Sequence, residues 1–215
     1  MISFSAQADG GISIQGTRIV YPQDSRQESI SVRNSSATKS FLVQSWVENP
    51  TGEKTQDFLV TPPLYLSSPG NDNRLRLVKT NNNLPNDRES LYYFVAKAIP
   101  SVNNNDTDKN VIRISAANRI KLFVRPAGLN MSPDAAPAEI TFRHNDGKLS
   151  IDNPTPYYIT LTDIKLAGRS VAGIMLAPKF LTKTDIVVKA NESISFRTIN
   201  DVGSQRPVTI SKIKS

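Results

Sequence analysis

Apolar and polar residues alternate with a period of two along most of this chain, most regularly from Val111 to Pro126, VIRISAANRIKLFVRP. The even positions there are Ile112, Ile114, Ala116, Asn118, Ile120, Leu122 and Val124, apolar apart from the asparagine. The odd positions include Arg113, Ser115, Arg119, Lys121 and Arg125. Such alternation predicts a β-strand with one apolar face. At about 3.3 Å per residue it would extend roughly 40 Å, well beyond the usual five or six residues. Two readings follow. Two shorter strands of one sandwich could be joined at Asn118, or one long strand could lend part of its apolar face to another protein.

Shorter alternating runs fill the rest: residues 29–35, 41–49, 74–80, 91–99, 148–153, 157–164 and 193–199, all rich in β-branched and aromatic residues. Turn signals separate them at Asn34-Ser35-Ser36, Asn49-Pro50-Thr51-Gly52, Ser67-Ser68-Pro69-Gly70-Asn71 and Asn145-Asp146-Gly147. No segment has a helical period. The pattern predicts an all-β chain of two antiparallel sandwiches, with Trp46 and Phe41 in the core of the first. Pro126-Ala127-Gly128, followed by Pro133 and Pro137, interrupts the alternation. The expected domains are therefore residues 9–125 and 126–215. Asn103-Asn104-Asn105-Asp106 reads as a mobile polar loop.

Composition narrows the function classes. The chain has 215 residues and no cysteine, which removes disulfides, cysteine metal sites and a cysteine nucleophile. No apolar run is long enough for a transmembrane helix. Ala6-Gln7-Ala8 fits the small-x-small pattern before a signal-peptidase cut, so a truncated export signal behind the starting Met is expected. The net charge of +7 raises nucleic-acid binding, but the cations are spread singly along strands and no such motif is present. An acidic protein partner or an anionic membrane face suits this charge better. His144, the one histidine, stands beside a hairpin turn and reads as a solvated residue rather than a catalytic base. Without paired acidic motifs or a glycine-rich phosphate loop, neither an enzyme nor a metal or nucleotide cofactor is expected.

Several stretches resemble the periplasmic fimbrial (pilus) chaperones. Gly16-Thr17-Arg18-Ile19-Val20-Tyr21-Pro22 is similar to their first strand, and Thr61-Pro62-Pro63-Leu64 to an edge-strand segment. Leu84-Pro85-Asn86-Asp87-Arg88-Glu89-Ser90-Leu91 with Ile99-Pro100 resembles the most specific signature, and Arg119 to Pro126 the end of the long G strand. Asn153-Pro154-Thr155-Pro156-Tyr157-Tyr158 and Thr198-Ile199-Asn200-Asp201-Val202-Gly203 match motifs of the second domain. Two departures stand out: Val95 replaces a frequent Asn, and Ala116 a larger aliphatic residue.

The resemblance implies two immunoglobulin-like β-sandwich domains at an angle around a subunit-binding cleft, a periplasmic location and a non-catalytic role. It implies capping of pilus subunits that lack their last strand. The short stretch before Val111 matches the short-loop branch, which typically serves rod-like composite pili. The mode is β-strand addition, of which chaperone–pilin complementation is a known instance. Ile112, Ile114 and Ala116 would be the donor side chains. Arg18 and Lys121 would grip the subunit's C-terminal carboxylate, and Arg76, Glu89 and Asp201 would form an interdomain ion network. An outer-membrane usher would receive the capped subunit. The competing classes are a two-domain immunoglobulin-like adhesin and a β-sandwich hydrolase, the latter lacking a base.

Overall fold

The computed structural model describes residues 10–100 and 115–215, and its regular structure is almost entirely strand. Among the described residues the one helical stretch is a 3-10 turn at Ala136–Glu139, started by Pro137. Contacts divide the chain into two compact units. The first draws its described residues from Met1–Thr17, Ser25–Asn83 and Tyr92–Leu122, the second from Arg18–Asp24, Leu84–Leu91 and Phe123–Ser215. The expected break after Arg125 lies three residues beyond the last of these crossings.

In the first unit, β1 (Ile12–Ile14), β3 (Glu28–Asn34), β7 (Asp72–Lys79) and β5 (Phe58–Thr61) form one antiparallel sheet in that order. Another runs β9 (Ala116–Arg125), β8 (Ser90–Pro100), β4 (Phe41–Glu48), β6 (Leu64–Ser67). Alternation decides which side chains meet. Ile30, Val32, Leu75 and Leu77 of the first sheet and Val43, Val47, Phe94, Ala96 and Leu122 of the second are at most 4% exposed. Burying each large one contributes about 1.5–3 kcal/mol. Trp46 is not among them. It shares an outward row with Glu48, donates Nε1 to that carboxylate at 2.9 Å and carries the Lys54 ammonium over its ring at 4.4 Å. Phe41 is likewise half-buried rather than core. The strand β9 passes through Asn118 without a break, so from Ala116 onward the two-strand reading is corrected. Ile112, Ile114 and the 103–106 loop lie outside the described residues.

In the second unit, β10 (Thr141–Asn145), β11 (Lys148–Asn153) and β15 (Phe180–Val187) make one sheet. The other is β13 (Arg169–Val171), β12 (Ile159–Leu166), β16 (Ser193–Thr198), β17 (Thr209–Lys212), with β14 (Ile174–Leu176) also on β12. Phe142, Leu149, Ile151, Leu161, Leu166, Ile194 and Phe196 fill the space between, the Phe142 and Phe196 rings 5.2 Å apart. The strand β2 (Arg18–Pro22) pairs with β9, and just beyond it Gln23 donates its N–H to Arg125 O at 2.8 Å. Asp146 and Gly147 both have positive φ, 49° and 79°, the backbone that a two-residue type I′ hairpin needs. His144 sits half-buried on β10 beside that turn.

Among the described residues each unit holds one fully buried asparagine in the same role. Asn34 Nδ2 donates to the carbonyls of Lys39, Ser67 and Ser68, and its Oδ1 accepts from Ser36 N–H. Asn153 Nδ2 donates to Tyr157 O and Ala177 O, while Oδ1 accepts from Thr155 N–H and its hydroxyl. Both end a strand and tie a turn to a loop far along the chain. Because each buried group left unsatisfied costs about 1–3 kcal/mol, Asn153→Ala is expected to lose about 3 kcal/mol in urea denaturation. A loss below 1 kcal/mol would mean that the turn holds itself.

Candidate functional site

Three motifs separated in the sequence meet within the second unit. Glu89, from the Asp87-Arg88-Glu89-Ser90 stretch, donates its N–H to Pro156 O at 2.9 Å. Its own carboxylate accepts the Tyr158 N–H at 2.8 Å. This pair of reciprocal bonds docks the segment on Pro156-Tyr157-Tyr158, and Lys179 Nζ to Asp87 at 2.7 Å extends the seam. The other Glu89 oxygen accepts from Arg125 Nε at 2.8 Å. Arg125 then turns both terminal nitrogens on Asp201, at 2.7 and 2.8 Å, and its guanidinium lies 5.0 Å from the Tyr157 ring centre.

The electrostatics follow from this geometry. Glu89 is 3% exposed, and burial pushes its pKa above the ordinary value against the pull of Arg125 and the Tyr158 N–H. Burial also works against the charge on Arg125. The Asp201 hydrogen bonds and the charge of Glu89 outweigh it and hold Arg125 above its usual range. Hydrogen bonding from Arg125 takes Asp201 below the ordinary carboxylate value in spite of partial burial. With the folded pKa depressed, the contribution of Asp201 to stability is complete above the unfolded value of 3.8 and is lost as pH falls through the folded value. Asp201→Asn should therefore flatten the acid limb of the stability curve below about pH 4. Thermal melts of the two proteins from pH 2 to 5 check this, and parallel curves would contradict it.

Arg18, at the start of β2, lines a pocket of the second unit together with Glu89, Arg125 and Asp201. It is half-buried beside the Phe123 ring, 6.0 Å from the ring centre, and Phe123 in turn stacks on Tyr158 at 5.7 Å. One terminal nitrogen reaches Ile199 O at a long 3.4 Å, and Nε is buried without a hydrogen-bond partner among the described residues. Burial lowers its pKa, while Asp201 and Glu89 oppose that shift. A guanidinium in such a pocket with donors to spare is suited to an oxyanion with two acceptor oxygens, such as a carboxylate.

The other expected site residues fall as follows. Lys121 is half-buried on β9 and belongs to the first unit, as does the exposed Ala116. Glu89 and Asp201 come together within the second unit, joined by Arg125. Arg76 lies in the first unit, exposed on β7 between the core residues Leu75 and Leu77, and strand alternation turns it to solvent. That alternation was visible in the sequence, as was Arg125 at the end of the Arg119–Pro126 motif. Among the described residues no cluster of His, Cys, Asp or Glu could hold a metal ion, and no helix is long and apolar enough to cross a membrane.

Residues 11–130 match the family model described as pili and flagellar-assembly chaperone, PapD N-terminal domain. Residues 135–210 match that of the pili assembly chaperone PapD, C-terminal domain. The probable fimbrial chaperone SfmC of Escherichia coli K12 is 38% identical over 209 residues, spanning 97% of this chain and 91% of its own. The chaperone protein FimC of the same strain is 38% identical over 204 residues, 94% of this chain and 85% of its own. Among solved structures, the periplasmic chaperone SfaE superposes with a TM-score of 0.80 at 35% identity, over 95% of this chain and all of that one (100%). The E. coli chaperone DraB gives 0.82 at 29%, covering 95% and 97%.

Proposed function

Because this chain belongs to the pilus-assembly chaperone family, with two sandwich units of the immunoglobulin-like kind, we propose that it works in the periplasm. There it binds, folds and caps fimbrial subunits and delivers them to an outer-membrane usher. The family is one of chaperones, not of enzymes. A subunit lacking its last strand exposes a core groove and an unpaired edge, both aggregation hazards. In this reading Ile112, Ile114 and Ala116 are the side chains that fill the groove, and Arg18 and Lys121 hold the subunit's terminal carboxylate. The observation that carries the anchor is Arg18, charged, half-buried and with its Nε unpartnered.

Purification from periplasmic extract of cells that express the neighbouring fimbrial genes tests the whole reading. The expected result is a 1:1 complex with one small subunit. Recovery of the chain alone, with binding to host surfaces instead, would put an adhesin in its place.

A further inference from the structure

Asn118 is the one polar residue in the even row of β9, and neither groove filling nor carboxylate binding accounts for it. Along that row Ala116 is exposed, Asn118 and Ile120 are half-buried, and Leu122 and Val124 are completely buried. Asn118 therefore stands where the row changes from exposed to retained. Its Nδ2 donates to Ile12 O of β1 at 2.6 Å, a contact between residues 106 apart in the chain and between the two sheets of the first unit.

The next residue holds the opposite face, since neighbouring side chains on a strand point to opposite sides. The Arg119 guanidinium lies 3.4 Å from the Tyr93 ring centre and donates Nε to Glu48 Oε2 at 2.8 Å. Glu48 is itself held through Oε1 by Trp46 Nε1. Thus β9 is tied to β1 on one face and to β8 and β4 on the other, at two consecutive residues. An aliphatic residue at 118 would extend the apolar row but would fit many small displacements of the strand. An amide facing a single carbonyl fits one, which is how a lone polar group in an apolar seam fixes register.

We propose that Asn118 and Arg119 form a two-faced clamp whose task is positional. It fixes the point from which β9 projects, so that Ala116 and Lys121, on either side of it, meet a bound subunit in one alignment. The inference rests on the reading that β9 is the subunit-binding strand.

The test compares Asn118→Ala, the isosteric Asn118→Asp, which removes the donor, and Ile30→Val, a mild core change elsewhere in the same unit. Two quantities are read: amide hydrogen exchange at Ala116 and Ala117 in the free protein, and the dissociation rate of the subunit that co-purifies with the wild type. Loss of one hydrogen bond should speed both by about three- to tenfold for Asn118→Ala, and by more for Asn118→Asp. Ile30→Val should lower the melting temperature and change neither rate. Exchange and dissociation that stay at wild-type values, or that follow melting temperature alike in all three variants, would overturn the clamp. If no subunit binds the wild type, the functional reading has failed. The exchange data then still decide whether Asn118 holds the strand.

Discussion

Arg18→Ala is expected to abolish capture of a fimbrial subunit and to leave the chain folded. Among the described residues the side chain makes one hydrogen bond, the long one to Ile199 O, and its buried Nε has no partner, so the only hydrogen bond that its removal breaks is that single carbonyl contact. The stability cost should stay within about 1 kcal/mol. The binding cost is larger. Each charge-assisted hydrogen bond contributes about 1.5–3 kcal/mol, so losing a bidentate pair weakens binding by at least roughly a hundredfold. Lys121→Ala should have the same sign. Arg18→Lys keeps the charge but not the planar fork, so partial recovery is expected. Co-purification beside circular dichroism melts decides. A folded Arg18→Ala protein that retains its subunit would place the anchor elsewhere.

The second large effect concerns stability. Arg125→Ala leaves the Glu89 carboxylate, with its side chain 1% exposed, held by the Tyr158 N–H alone. Removing one member of such a buried set costs about 3–5 kcal/mol, because the remaining charge is stranded. In a chain of this size that is a fall of roughly 10 °C in melting temperature. Arg76→Ala, by contrast, removes an exposed side chain and should change the melting temperature hardly at all. The sharper check is the pair Arg125→Met with Glu89→Leu, which takes both charges away. It should recover much of the loss, since the penalty lies in the unpaired charge. If the double variant is as unstable as Arg125→Ala, the guanidinium acts mainly through its packing on Tyr157.

The strands were legible because alternation is a local property. Residues 29–35, 74–80 and 193–199 read as strands in isolation, and β3, β7 and β16 confirm them. Turn chemistry was local too, and Asn145-Asp146-Gly147 closes its hairpin as its residues require. What stayed hidden was the choice of face and of partner. Trp46 is large and apolar, yet its row faces outward, because Val43 and Val47 fill the inner side of β4. The ion cluster was half readable, with Glu89 and Asp201 placed by their motifs. The cation between them depends on where strand ends converge, and no residue spacing reveals that. Asn118 reads as an interruption of its row until Ile12, 106 residues away, is seen to accept its hydrogen bond.

The way the chain is shared between its units constrains how it can be made and cut. The second unit takes Arg18–Asp24 and Leu84–Leu91 from the N-terminal half and holds Tyr21, 0% exposed, among its buried residues. A gene split after Arg125 would yield a C-terminal fragment without Tyr21 and without Glu89 to meet Pro156 and Tyr158. The C-terminal fragment is then not a self-sufficient folding module, since its unit draws two segments from the other side of the split. During synthesis Gln23 must wait for Arg125, and Glu89 for Tyr158, 69 positions downstream, which makes assembly of the second unit a late and non-local event. A chain of this design reaches its folded state only after nearly its whole length has emerged.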